Sequence, residues 1–144
     1  MTTIAASLDH QMIAADSRCS TDGWMFNVHK LRAGPQSAFG AAGTWEQILK
    51  FYAALEANGE IEGECDVTVL ELRKDSLYVY DGSLLAFPIK ERFWAIGTGA
   101  PYAVAAMHLG KSPQEAVEIA MLYDPGTGGP IETMRVPNVR AKSK

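Results

Sequence analysis

The sequence of 144 residues predicts an α+β protein with antiparallel sheets and helices packed on their outer faces. Short β-type segments are joined by tight turns in the first half of the chain. Three longer segments have helical character, and their order along the chain is strands, one helix, strands, two helices and a last strand. Hydrophobic residues make up 47% of the chain, enough for a substantial core. We expect one domain over residues 1–144, with a short basic tail from about residue 138.

The first strands are predicted to form a hairpin, 3–8 and 11–16, around a turn at Asp9 and His10. This hairpin places Asp16 near the start of the first strand, beside Thr2. Residues 17–27 are predicted as a polar loop with short strand pieces. The apolar side chains of Trp24 and Phe26 are expected to anchor this loop. Further strands are predicted at 28–32, 36–42, 66–73, 77–80, 84–87, 93–96 and 131–136.

The first helix is predicted to begin at Thr44, which fits a capping box with Gln47, and to end at residues 58–59. An acidic loop, 60–64, follows it. The second helix, 100–109, is Ala-rich and comes after Gly97-Thr98-Gly99. The third helix begins with the strong start signal Ser112-Pro113-Gln114-Glu115 and runs to about residue 122. Trp45, Tyr52 and Trp94 are predicted to be core residues.

Composition excludes several classes of function. The net charge is −4 and no basic stripe is present, so nucleic acid is not an expected partner. The apolar runs are too short to span a membrane, and the first residues do not have the pattern of a signal peptide. The two cysteines, Cys19 and Cys65, form neither a metal pattern nor a disulfide framework. We therefore expect a cytoplasmic protein without metal, organic cofactor or membrane contact.

Thr2 is a candidate nucleophile. The small residue behind Met1 invites removal of Met1, and the new N-terminal residue would then carry both a hydroxyl and a free α-amine. An α-amine with a reference pKa of about 7.7–8.0 can act as a general base at neutral pH, and threonine activated by its own amine is a known nucleophile. Taken alone, Thr2 is better explained as an exposed second residue than as a nucleophile, because many proteins begin with Met-Thr.

Read together with five later motifs, this beginning resembles the proteasome β subunits and the bacterial proteasome-like threonine peptidases, which are N-terminal-nucleophile hydrolases. The resemblance runs from Thr2 to about Gly129. The motifs are Thr2-Thr3-Ile4, Ala14-Ala15-Asp16-Ser17-Arg18, Val28-His29-Lys30, Gly40-Ala41-Ala42-Gly43, Gly97-Thr98-Gly99 and Asp124-Pro125-Gly126-Thr127-Gly128-Gly129. The resemblance implies a four-layer αββα sandwich, here reduced, because the family's second helix has only the acidic loop in its place.

The resemblance also assigns roles to individual residues. Thr2 is the nucleophile, Asp16 and Lys30 are the catalytic ion pair, and Gly43 donates its amide to the oxyanion. Thr98, Asp124 and Thr127 complete the catalytic set, with threonine at 98 and 127 where the family has serine. Arg18, Thr21 and Ala41 are expected at the substrate pocket. Each residue can also be interpreted without a catalytic role: Lys30 as a solvated strand residue, Asp16 as a turn former and Thr98 as a helix cap.

These assignments predict a threonine endopeptidase that cleaves peptides or unfolded proteins and assembles into a homo-oligomer, with an ATP-dependent unfoldase as the implied partner. The small size suggests a reduced member, of bacterial or phage origin. Two alternatives stay open. One is a small-amide hydrolase of the same superfamily. The other is a non-catalytic assembly or scaffold protein that keeps Met1 and so has no free amine at Thr2.

Overall fold

The computed structural model describes residues 2–137; Met1 and the basic tail predicted from about residue 138 lie outside the described residues. Its strands pair only in the antiparallel sense within this part of the chain. In chain order the elements are β1 (Thr3–Ser7), β2 (Met12–Ala15), β3 (Arg18–Thr21), β4 (Trp24–Asn27), β5 (Leu31–Ala33), β6 (Ser37–Gly43), α1 (Trp45–Glu56), β7 (Val67–Arg73), β8 (Leu77–Asp81), β9 (Phe87–Ile89), β10 (Phe93–Gly97), α2 (Ala100–His108), α3 (Pro113–Tyr123) and β11 (Glu132–Met134).

Two sheets face each other across the main core. One has four strands in the order β10-β1-β2-β11, and the other has five in the order β5-β6-β7-β8-β9. Successive side chains of a strand point to opposite faces, so one face of each sheet can fill the space between the sheets. Ile4 and Ile13 from the first sheet meet Leu70, Leu72 and Leu77 from the second, and all five are fully buried.

The outer face of each sheet is covered by helices. Ala5 and Ala14 pack against α2 and α3, which contribute Ala103, Met107 and Val117. On the other side, α1 covers the five-stranded sheet with three buried side chains, Ile48, Phe51 and Tyr52. The order of layers is therefore α1, five strands, four strands, α2 with α3. This is the predicted αββα sandwich. Among the described residues one helix covers the five-stranded sheet, and residues 57–66 lead from α1 to β7 without a second helix, so the predicted reduction is confirmed.

Several predicted elements differ from the observed ones. Residues 28–30 are not a strand, and β5 begins at Leu31, because this stretch connects the separate β3–β4 ribbon to the sheet. The strand predicted at 84–87 begins instead at Phe87. Trp24 and Phe26 are not apolar anchors: they lie on the ribbon, which stands apart from both sheets, and are 74% and 44% exposed. Trp94 is 36% exposed, so its core assignment was wrong.

The two predicted capping boxes have different outcomes. Ser112 caps α3 as predicted: its hydroxyl accepts from Glu115 N at 3.2 Å, and its own amide donates to Glu115 Oε1 at 2.9 Å. Thr44 makes no capping hydrogen bond at α1. The Gln47 side chain, predicted to complete that box, accepts instead from the amide of Asp66 and so ties α1 to the approach to β7. Tyr52 is buried as predicted, while Trp45 is half-buried.

None of the three helices found in residues 2–137 has both the length and the apolar character needed to cross a membrane.

Candidate active site

Asp16 lies at the open end of the β1–β2 hairpin, where the predicted register brings it to the start of β1. Its carboxylate is fully buried and accepts three hydrogen bonds. Thr3 N donates to Oδ1 at 3.0 Å, Gly128 N donates to Oδ2 at 3.0 Å, and Lys30 Nζ donates to Oδ1 at 3.0 Å. A buried carboxylate is tolerated when it is paired and hydrogen-bonded, and both conditions hold here.

Lys30 is the cation of this pair. It directly precedes β5, is 3% exposed, and points back from the five-stranded sheet towards the hairpin of the other sheet. Its Nζ atom lies 3.1 Å from Thr2 Oγ1 as well as 3.0 Å from Asp16 Oδ1. The ammonium group is therefore shared between the carboxylate that compensates its charge and the hydroxyl of Thr2. An adjacent cation favours the ionised form of a hydroxyl.

Thr2 sits directly before β1 and is 3% exposed. Its hydroxyl accepts from Lys30, and its nitrogen donates to Thr98 Oγ1 at 3.3 Å. Gly97, the last residue of β10, comes so close that a Cβ placed there would lie 2.0 Å from the carbonyl oxygen of Thr2. The glycine of Gly97-Thr98-Gly99 is thus required by the close approach of β10 to the residue that carries the candidate nucleophile.

Asp124 organises the hydroxyl groups on the other side of Thr2. Its Oδ2 atom accepts from Thr98 Oγ1 and from Thr127 Oγ1, each at 2.6 Å, and Gly126 N donates to Oδ1 at 3.2 Å. Burial raises the pKa of Asp124, but the hydrogen bonds from Thr127, Thr98 and Gly126 outweigh it and hold the pKa below its ordinary value. The carboxylate is therefore ionised at neutral pH and accepts only.

The donor directions follow from this ionised carboxylate. Thr98 has one hydroxyl proton and gives it to Asp124, so Thr98 Oγ1 presents lone pairs to the nitrogen of Thr2. Thr98 consequently accepts the N–H of Thr2.

Two residues in this arrangement were not predicted from the sequence. Thr3 Oγ1 lies 2.6 Å from Thr127 Oγ1, and because Thr127 donates to Asp124, Thr3 is the donor of that pair. Gly128 supplies the amide that binds Asp16 Oδ2. Neither had a signal of its own: Gly128 was seen only as part of a loop motif, and Thr3 only as the neighbour of Thr2.

Six of the ten predicted site residues are joined by hydrogen bonds in this cluster: Thr2, Asp16, Lys30, Thr98, Asp124 and Thr127. Gly43 ends β6 and has a φ of +149°, and a Cβ there would lie 2.8 Å from the carbonyl oxygen of Asp66. This position therefore needs glycine for the backbone alone. Its oxyanion role stays a prediction.

The three predicted pocket residues are not gathered at one surface. Ala41 is fully buried in the cluster against α1, so in this structure it presents no surface to a substrate. Alternate residues of a strand lie on the same face, so Ala41 lies on the face of β6 that also carries Phe39. The sequence motif did not reveal this orientation. Arg18 is half-buried across Gly128 and donates to Pro125 O at 3.5 Å. Thr21 is exposed at the end of β3, on the separate ribbon.

Within residues 2–137, no group of three or more His, Cys, Asp or Glu side chains is arranged to hold a metal ion. Both cysteines are free thiols, Cys19 half-buried and Cys65 buried. The hydrogen-bonded cluster around Thr2 consists of hydroxyls, one ammonium, two carboxylates and backbone amides.

Neither the family models nor the curated proteins give a match to this sequence. Solved structures do: the fold is that of the HslV and proteasome-like N-terminal-nucleophile hydrolases.

Among these neighbours, HslV from Trypanosoma brucei has a TM-score of 0.71 at 16% identity, over 93% of this chain and 99% of that one. BPH from Thiobacillus denitrificans, solved in complex with epoxomicin, has a TM-score of 0.67 at 16% identity, over 95% of this chain and 99% of its own. Anbu, described as an ancestral β-subunit, from Yersinia bercovieri has a TM-score of 0.71 at 12% identity, over 95% of this chain and 82% of its own. These likenesses establish the fold.

Proposed function

We propose that this protein is a threonine endopeptidase whose nucleophile is Oγ1 of Thr2 in a chain that begins at Thr2 after removal of Met1. The observation that carries the proposal is the position of Thr2 Oγ1, 3.1 Å from the buried ammonium of Lys30, while the Thr2 nitrogen is held by Thr98 at 3.3 Å. One residue thus offers both a hydroxyl next to a cation and a nitrogen that becomes a free amine once Met1 is gone.

The proposed reaction has two stages. Thr2 Oγ1 attacks the carbonyl carbon of a peptide bond, and its proton passes to the Thr2 α-amine. The carbonyl oxygen becomes an oxyanion, for which we propose the Gly43 amide as donor; loss of one such donor typically lowers the rate by about 10²–10³. The amine then protonates the leaving nitrogen, the C–N bond breaks, and an ester forms on Thr2. Water, activated by the same amine, hydrolyses that ester and restores the hydroxyl.

Lys30 and Asp16 serve this chemistry without forming bonds to substrate. The ammonium of Lys30 stabilises negative charge that develops on Thr2 Oγ1, and its like charge disfavours permanent protonation of the nearby amine. Asp16, with three donors of its own, fixes the position of Lys30. Preorganised charge in a buried site is one of the largest sources of rate enhancement in enzymes.

We further propose peptides and unfolded proteins as substrates, a homo-oligomer as the working form, an ATP-dependent unfoldase as partner and the cytoplasm as location. These proposals are supported by the resemblance of the six motifs to the proteasome-like peptidases and by the shared fold. For the oligomer, the described residues place α1 alone on the outer face of the five-stranded sheet, where the family has two helices. Contacts between subunits on that side would therefore have to be made by α1.

The proposal is tested by intact-mass measurement before and after incubation with epoxomicin, the compound present in the Thiobacillus structure. The protein is prepared from a cleavable N-terminal fusion that leaves Thr2 as the first residue. We expect one added inhibitor mass per chain and hydrolysis of fluorogenic peptides. Thr2→Ala should abolish both, while Thr133→Ala, which changes an exposed threonine of β11, should change neither.

A parallel preparation that retains Met1 tests the role of the amine. Its Thr2 nitrogen is part of a peptide bond and has no basic lone pair, so we expect no adduct and no hydrolysis. A folded chain beginning at Thr2 that gives neither adduct nor hydrolysis would favour the non-catalytic assembly protein. Hydrolysis of small amides without cleavage of peptides would favour the small-amide hydrolase.

A further inference from the structure

A cavity of about 1240 Å³ lies at the end of the sheets away from Thr2. The β1–β2 hairpin has Thr2 and Asp16 at its open end, whereas Gln11 in its turn borders the cavity. The β5–β6 and β7–β8 turns border it too, and the C-terminal half of α1 forms one wall. None of the residues of the candidate active site is part of its lining. A cavity of this size can enclose an organic molecule.

Tyr52 on the α1 wall carries a buried phenol group that makes no hydrogen bond to any described residue. The residue is 3% exposed. Burial raises its pKa well above the ordinary tyrosine value, and the nearby charge of Arg32 only partly opposes this. The phenol is therefore neutral and has an unused proton to donate. A buried donor without a partner is costly, so this one calls for an acceptor beyond the described residues.

Tyr80 lines the same cavity and, unlike Tyr52, has a hydrogen-bond acceptor for its phenol proton. Its Oη atom donates to the buried Glu71 carboxylate at 2.7 Å, and burial together with that bond raises its pKa to about 12. Glu71 is also paired with Arg73, at 3.1 Å. The network on this side of the cavity is thus complete, whereas the Tyr52 phenol has no hydrogen-bond partner among residues 2–137.

Arg32 provides the charge next to Tyr52. Its guanidinium carbon lies 4.4 Å from the centre of the Tyr52 ring, and Nη1 contacts Glu56 at 2.6 Å. That pair is exposed, with 40% and 64% of the two side chains accessible, so it contributes little energy and leaves most of the five guanidinium donors available. A guanidinium beside a phenol donor matches an oxyanion.

The remaining lining narrows the choice of anion. Three cationic side chains of the lining, Arg32, Arg73 and Lys74, are balanced by three acidic ones, Glu56, Glu71 and Asp75. This balance disfavours a multiply charged phosphate and favours a single carboxylate. The other walls include the rings of Phe39 and Tyr80 and the side chain of Leu55, which suit a flat apolar body.

We propose that this cavity binds a small aromatic carboxylate, with the carboxylate held by Tyr52 Oη and the Arg32 guanidinium and the ring against Phe39 and Leu55. The site does not depend on the peptidase activity proposed for Thr2. A carboxylate bonded by a phenol and an arginine is expected to bind about tenfold or more tightly than an uncharged analogue of the same shape, because hydrogen bonds to charged groups are the stronger ones.

The test is equilibrium dialysis of the full-length protein against 2-naphthoate and against 2-naphthamide, which has the same rings without the charge. We expect 2-naphthoate to bind with a dissociation constant on the order of 1 mM or below, as for other ligands of this size. Tyr52→Phe and Arg32→Gln should each weaken it about tenfold. Tyr78→Phe, which removes a phenol outside the lining, and Thr2→Ala should leave it unchanged.

The thermal stability of unliganded Tyr52→Phe gives an independent readout. Loss of an unpartnered hydroxyl should leave Tm unchanged or raise it, whereas a lower Tm would mean that the phenol is already bonded within the fold. The proposal is overturned by that lower Tm, by equal binding of naphthoate and naphthamide, by binding that Thr2→Ala abolishes, or by absence of naphthoate binding.

Discussion

Asp16→Asn is the most informative single change to the candidate active site. It alters one atom of a fully buried side chain and removes the negative charge that compensates Lys30, itself 3% exposed. The asparagine keeps a carbonyl oxygen, so it can accept from either Thr3 N or Gly128 N but not at both ends, because its amide group is a donor. The variant therefore removes the Asp16 charge beside a buried ammonium and leaves at least one of these two backbone amides without its acceptor on residue 16.

The expected cost follows from these two losses. Breaking a buried ion pair by removing one partner typically costs about 3–5 kcal/mol. Domains have a total free energy of unfolding of about 5–15 kcal/mol, so the variant should lose a large part of its stability. With an m-value of about 2 kcal/mol/M in urea, the midpoint should fall by roughly 1.5–2.5 M. If it remains folded, the loss of Lys30 positioning should also lower peptidase activity.

Urea unfolding followed by circular dichroism measures this, at two protein concentrations so that any contribution of association is separated. The matched control is Asp9→Asn, which breaks the Asp9–Arg92 pair at 2.7 Å, where 60% and 63% of the side chains are exposed. That exposed pair should be worth no more than about 1 kcal/mol. Equal midpoints for the two variants would refute the inference that Asp16 and Lys30 form a buried, mutually dependent pair.

Three further predictions concern the neighbourhood of the site and the fold that carries it. Gly97→Ala should lower the free energy of unfolding by several kcal/mol, as measured by urea unfolding, and abolish any activity, because its Cβ would lie 2.0 Å from the carbonyl oxygen of Thr2. The control Gly110→Ala has a similar φ of +93° and nothing within 4 Å of its Cβ, so it should lower the free energy of unfolding by only about 1–2 kcal/mol. Ser112→Ala should destabilise the protein by about 1 kcal/mol in the same assay, through loss of the α3 capping box, and leave the Thr2 chemistry unchanged. Hydrogen bonds that outweigh burial lower the pKa of Asp124 in the folded protein. The ionised carboxylate therefore stabilises the fold at pH values above the pKa of an unfolded aspartate, about 3.9, and this contribution is lost as pH falls through the lower pKa of the folded state. Between pH 6 and pH 3 the urea midpoint should consequently drop less for Asp124→Asn than for the wild type.

Local sequence patterns predicted the parts of the fold that local interactions decide. The β1–β2 hairpin needs only a turn between two β-type segments, and its register then determined that Asp16 faces the start of β1. The start of α3 was predicted correctly because all parts of its capping box lie within four residues. Thr44 had the same local pattern, but the approach of Asp66 to Gln47 competes for the side chain that would complete the box.

Long-range packing decided the features that the sequence did not predict. Lys30 was expected on a strand, but residues 28–30 leave strand geometry and its side chain points to Asp16 in the other sheet. Trp24 looks like a core residue by type, yet the β3–β4 ribbon pairs with neither sheet and leaves it exposed. Thr3 joined the site only because α2, β1 and the 124–129 loop meet there, a meeting that no pattern in the sequence marks.

The role of Thr98 can be separated from mere occupancy of its position, on the basis of the proposed peptidase activity. Thr98 Oγ1 gives its proton to the ionised Asp124 and offers lone pairs to the Thr2 nitrogen. Thr98→Ser keeps that hydroxyl and should retain activity within about threefold, whereas Thr98→Val keeps the shape but loses the acceptor and should lower kcat by about 10²–10³, a typical magnitude for one preorganised polar group. Both enzymes should remain folded, because Thr98 is exposed and Gly99, not Thr98, caps α2. Steady-state kinetics on a fluorogenic peptide measures the difference. If the valine variant were as active as the serine variant, the Thr98 hydroxyl would not be the group that orients the Thr2 amine as a base.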